Sequence, residues 1–106
     1  MELSKRDWTL FREKLSGWQE AYMGRLLQEY AALISGDGNA SERFWALDKQ
    51  MREDKRSPGV QVMMRKGDMV YILADLLRDG VVESADLNDF SGELRERVLY
   101  LAKTNR

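Results

Sequence analysis

The chain has 106 residues, a third of them charged and 43% hydrophobic, with 17 basic side chains against 18 acidic. It contains no cysteine and no histidine, which excludes a disulfide, a Cys/His zinc site, a haem-ligating histidine and any Ser or Cys nucleophile paired with a histidine base. The length predicts one domain, residues 1–106, and the near-neutral charge argues against a protein that coats nucleic acid or anionic membrane.

The first predicted element is a long amphipathic helix over residues 5–35, capped by Ser4, with Asp7 as its capping-box partner. Trp8, Phe11, Leu15, Trp18, Tyr22, Leu26, Tyr30 and Leu33 recur every three or four residues and form one apolar stripe. Gly36-Asp37-Gly38-Asn39 ends it. At 1.5 Å per residue such a rod is roughly 45 Å long, more than a compact domain of this size encloses, given a radius of gyration near about 13 Å. The overhang predicts a partner.

A second helix is expected over 40–56, with Phe44, Leu47 and Met51 buried, Trp45 widening that face, and Lys55 and Arg56 complementing its C-terminal dipole. Of the three tryptophans, Trp8, Trp18 and Trp45, one is expected to stand exposed as an anchor and the others to join the core. Ser57-Pro58-Gly59 breaks the chain, and Ser57 and Pro58 suit the cap and first turn of a third helix over 58–78. Met63, Val70, Ala74 and Leu77 lie along one line of that helix. Val60-Gln61-Val62 and Met69–Ile72 around Arg65-Lys66-Gly67-Asp68 permit a hairpin instead. Ser84 suits the cap of a short turn near residues 84–90, and Ser91 that of a last helix over 92–103 with Leu94, Val98 and Leu101 inward. The expected fold is all-α, a four-helix bundle-like domain with a long N-terminal helix and a short extra turn. The longest apolar run, Met69–Ala74, is closed by Asp68 and Asp75, well short of the roughly 20 residues of a membrane span. Met1–Asp7 has no apolar signal region, so a cytoplasmic protein is expected.

Candidate chemistry is sparse. Asp37-x-Asn39-x-Ser41 matches the start of a calcium loop, but Glu42 occupies the glycine position and Asp48 the closing glutamate, so a capping loop fits better. Glu83, Asp86, Asp89, Glu93 and Glu96 follow at helical intervals; they suit first turns as negative charge, without a nucleophile beside them. Asp75 interrupts an apolar run and is expected at the surface beside Arg78. No catalytic residue, metal site or cofactor is expected.

Two surfaces suit a partner. Residues 49–66 hold six basic side chains, Lys49, Arg52, Lys55, Arg56, Arg65 and Lys66, against two acidic ones, a net +4. Residues 68–96 hold eight acidic against two basic, a net −6. Such polarity guides an acidic partner or nucleic acid, or lets two copies meet head to tail. On the first helix, Gly17, Ala21, Gly24 and Ala31 lie roughly opposite the apolar stripe. Each interior glycine costs a helix about 1 kcal/mol against alanine, so their presence suggests close approach of another backbone.

The segments Arg6–Arg12, Trp18–Met23, Phe44–Leu47, Lys55–Val60 and Asp86–Ser91 resemble a family of short helical proteins of Gram-positive gut bacteria, some of which carry the label multidrug transporter. The resemblance spans nearly the whole chain and implies no activity or site residue, and the transporter label conflicts with the missing membrane span. The functional expectation is a non-enzymatic helical protein–protein interaction module, self-associating as a homo-oligomer. The alternative is a nucleic-acid-associated regulator using the basic region 49–66.

Overall fold

Ser4 opens the first helix as its position implies: its hydroxyl accepts the Asp7 backbone N–H at 3.0 Å. The computed structural model describes residues 4–104, which form α1 (Lys5–Ile34), α2 (Ala40–Asp54), α3 (Met69–Arg78) and α4 (Gly92–Thr104). Short 3-10 turns cover Lys66–Asp68 and Ser84–Leu87. The architecture is all-α, and no described helix is long and apolar enough to cross a membrane.

The N-terminal half of α1 is built into the core. Phe11 and Leu15 pack with Met69, Val70, Ile72, Leu73, Ala74 and Leu76 of α3 and with Leu94 and Val98 of α4. Val81, Val82, Leu87 and Phe90 close the cluster from the connector between α3 and α4. Trp8 and Trp18 lie half-buried at its edge, with Trp18 tilted against Phe90 at 6.4 Å between centroids. α3 ends on Gly80, whose φ of 75° is the left-handed geometry that favours glycine.

Beyond Tyr22, α1 leaves this core: Arg25 Nη2 donates to Gly80 O at 2.9 Å, and the rest of the helix runs along α2. α1 remains one unbroken helix of 30 residues, glycines included. The molecule is therefore extended, 53 × 27 × 23 Å with a radius of gyration of 16.2 Å, above the roughly 13 Å of a compact domain of similar length. A core at one end carries a two-helix arm at the other.

Several expectations are corrected. The third helix begins at Met69 rather than at residue 58, and neither a helix nor a hairpin forms over 59–65. The Ser57–Gly59 turn docks on α1 instead of opening a helix, because Ser57 Oγ accepts the Gly59 N–H at 3.1 Å and donates to Asp79 Oδ2 at 2.6 Å. Pro58 O accepts from Gln19 Nε2 at 2.9 Å, and Met63, placed on the buried line by spacing, stands exposed. In α2 the aromatic and methionine side chains do not form a buried face, since no residue of that helix is buried. At the short turn the first residue is preceded by Glu83, whose N–H is bound by Asp86 Oδ2 at 2.8 Å, so Ser84 is not its cap. Finally, the Asp7 carboxylate does not close a capping box on the Ser4 N–H but binds Ser91, 84 positions on, which also caps α4 through the Leu94 N–H.

Candidate functional site

α2 is held by its polar edge. Tyr30 of α1 donates its hydroxyl to Asp54 Oδ2, and Gln50 Nε2 donates to Asp54 Oδ1 at 3.1 Å. Burial, together with the Asp54 carboxylate, pushes the Tyr30 hydroxyl well above the ordinary phenol range. Arg43 Nη1 caps the end of α1 by donating to Ile34 O at 2.6 Å, and Asn39 Oδ1 caps α2 by accepting the Glu42 N–H at 2.9 Å. Leu47 is half-buried against α1. These contacts use one side of the helix only.

The remaining sides face solvent with large apolar groups. Phe44 is 62% exposed and Trp45 64%, which places them among the most exposed large side chains described. Their rings meet edge to face, 5.0 Å between centroids at 82°, which fixes the indole without covering it. Met51 of α2 and Leu27 and Ile34 of α1 are exposed as well. In an antiparallel pair, side chains advanced in the same sense from the contact line lie on one flank, so Leu27, Ile34, Phe44 and Met51 border the same side of the arm.

On the outward side of α2, Trp45, Lys49 and Arg52 follow at spacings of four and three, and Arg56 stands in the turn just past the helix end at Asp54. Lys49, Arg52 and Arg56 line one shallow hollow together with Glu53. Of the expected basic patch, the structure joins these three. Lys55 lies a quarter-turn away, and Arg65 and Lys66 belong to the segment before α3; all three are exposed outside that hollow. Arg52 is already paired with Asp48 at 3.0 Å, an exposed ion pair worth less than about 1 kcal/mol.

Gly17, Ala21, Gly24 and Ala31 are exposed, and a Cβ built on Gly17 or Gly24 meets nothing within 4 Å. Around these two glycines no other part of the chain approaches. Gly17→Ala and Gly24→Ala are each expected to stabilise the monomer by about 1 kcal/mol, read as a rise in thermal midpoint. A fall in midpoint with Gly24→Ala at high protein concentration alone places that glycine in a contact between chains.

The acidic positions carry no metal geometry. Glu83, Asp86, Asp89, Glu93 and Glu96 are all exposed, Asp89 pairs with Lys14 at 3.4 Å, and among the described residues no group of three or more His, Cys, Asp or Glu is placed to hold an ion. Asp75 is bound by Arg78 at 2.7 Å, as its spacing implies. Trp45, expected to widen a buried face, is exposed instead; the signal against burial was its spacing with Lys49 and Arg52, which puts it on a polar face. The docking of Ser57–Gly59 had no such signal, because its partners Gln19 and Asp79 are remote in sequence. No family model, curated protein or solved structure matches the chain.

Proposed function

We propose that this chain is a non-enzymatic helical interaction module that self-associates in the cytoplasm, with the α1–α2 arm as its contact element. One observation carries the reading: α2 bears Phe44, Trp45, Leu47 and Met51 yet buries none of them. An amphipathic helix gains most of its stability by covering such a face. Clustered Trp, Phe, Met and Arg are also the residue types that anchor protein contacts. The small-residue face Gly17, Ala21, Gly24 and Ala31 adjoins Leu27 and permits close approach of a second helix. Nucleic acid is the weaker reading, because Asp48 and Glu53 interrupt the basic line of α2.

Light scattering at micromolar concentration tests this. The wild-type chain is expected to be a dimer or larger, and the Phe44→Glu/Trp45→Glu variant a monomer with unchanged helical circular dichroism. A monomeric wild-type chain at that concentration overturns the reading.

A further inference from the structure

The outward line of α2 has a counterpart on α4. Glu93, Glu96 and Tyr100 are separated by three and four residues, the spacing of Trp45, Lys49 and Arg52 read in reverse, and Asp89 stands in the turn before α4 as Arg56 stands in the turn after α2. All eight are exposed. Tyr100 is 67% exposed, close to the 64% of Trp45.

Laid antiparallel, the two helices bring residues to one level when their position numbers add to a constant. One register sets Trp45 against Tyr100, Lys49 against Glu96 and Arg52 against Glu93, with Arg56 and Asp89 just past the facing helix ends. The same register sets Glu42 against Lys103 and Asp48 against Arg97, both of opposite charge. No like-charged pair falls at any level. Opposite charges at matched levels set partner and register in helix pairs, and like charges would oppose them.

Within one chain this pairing is not made. α2 lies along the arm of α1, α4 packs on α3, and both lines face solvent. The ion pairs that already use Arg52 and Asp89, to Asp48 and Lys14, are exposed and therefore readily exchanged.

We infer that a second copy of this chain docks its α4 line antiparallel on the α2 line of the first, with the Trp45–Tyr100 aromatic pair at one end and the carboxylate–cation ladder along the rest. The inference rests on the self-association proposed above and names its two surfaces. They are unlike, so each copy offers one basic and one acidic line to its neighbours. The contact weakens as salt rises, since its charges are near the surface.

Charge reversal tests the pairing by sedimentation velocity at low salt. Lys49→Glu/Arg52→Glu and Glu93→Lys/Glu96→Lys are each expected to sediment as monomers with native circular dichroism. An equimolar mixture of the two is expected to reassociate, because each supplies the line the other needs. The chain carrying all four reversals is expected to self-associate again. If the wild-type chain associates while either reversal leaves its sedimentation unchanged, or the mixture stays monomeric, this pairing is overturned and self-association through another face of the arm stands. A wild-type chain that is itself monomeric overturns both.

Discussion

Asp7→Ala is expected to lower the thermal midpoint by on the order of 15 °C, from a loss of about 3 kcal/mol. Asp7 is 2% exposed. Its Oδ1 accepts the Ser91 backbone N–H at 2.9 Å and its Oδ2 the Ser91 hydroxyl at 2.6 Å. The carboxylate thus lies at two helix beginnings, its own in α1 and that of α4, where the partial positive charge of both dipoles favours an anion. Alanine leaves the Ser91 donors without their acceptor and unpins the start of α1 from the start of α4. Asparagine keeps the volume and one acceptor oxygen, so Asp7→Asn is expected to lose roughly half as much.

The same site gives stability an acid limit. Burial raises the Asp7 pKa, but the Ser91 hydroxyl and N–H, then the Ser4 hydroxyl and the Arg6 charge, together outweigh it and hold the carboxyl below its ordinary 3.8. A carboxyl depressed by folding contributes stability that is fully present above the unfolded value and is lost as pH falls through the folded one. The wild-type chain is therefore expected to lose stability as pH drops below 3.8, and Asp7→Asn to lack that component. Urea midpoints measured between pH 2 and pH 7 check it. An acid limb of equal depth in both proteins would assign it to other carboxylates.

Gly59→Ala is the second large effect. A Cβ at this position lies 2.5 Å from Val81 Cγ2 and 2.6 Å from the Tyr22 ring, both inside ordinary contact distance. The backbone is not in the left-handed region, which among the described glycines belongs to Gly38 and Gly80, so glycine is required here for space alone. Val81 is buried at the edge of the core. Tyr22 is half-buried, and burial pushes its hydroxyl up from the phenol range. Neither side chain can swing aside as a flexible tip would. Overpacking of this kind destabilises by about 1–3 kcal/mol, read as a lower urea midpoint. Because the turn joins arm to core, amide exchange in α2 is expected to quicken as well. Gly67→Ala, where an added Cβ meets nothing within 4 Å, is the matched control.

The all-α class, the unbroken α1, the Ser4 and Ser91 caps, the Asp75–Arg78 pair and the end of α3 at Gly80 were all legible in the chain. Each depends on neighbours within about four residues, the range over which helix periodicity and capping act. The same locality misled for α2. Phe44, Leu47 and Met51 have the spacing of a buried stripe, but burial requires a facing surface, and only Leu47 is half-covered while Phe44 and Met51 stand exposed. It misled at 58–68 too, where Pro58 and Ser57 suit a helix start, while Gln19, Asp79, Val81 and Tyr22 hold that turn in place from afar.

Sequence alone thus determined the all-α class, the helices at the two ends of the chain, and that α1 outruns any core the rest can build, because backbone propensity and apolar spacing are local quantities. Tertiary structure decided which apolar faces found a partner. The core is filled by the first half of α1 with α3 and α4, so the arm is left with α2 alone and its aromatic residues in water. That outcome depends on how much volume remote side chains occupy, and no window of neighbouring residues contains it.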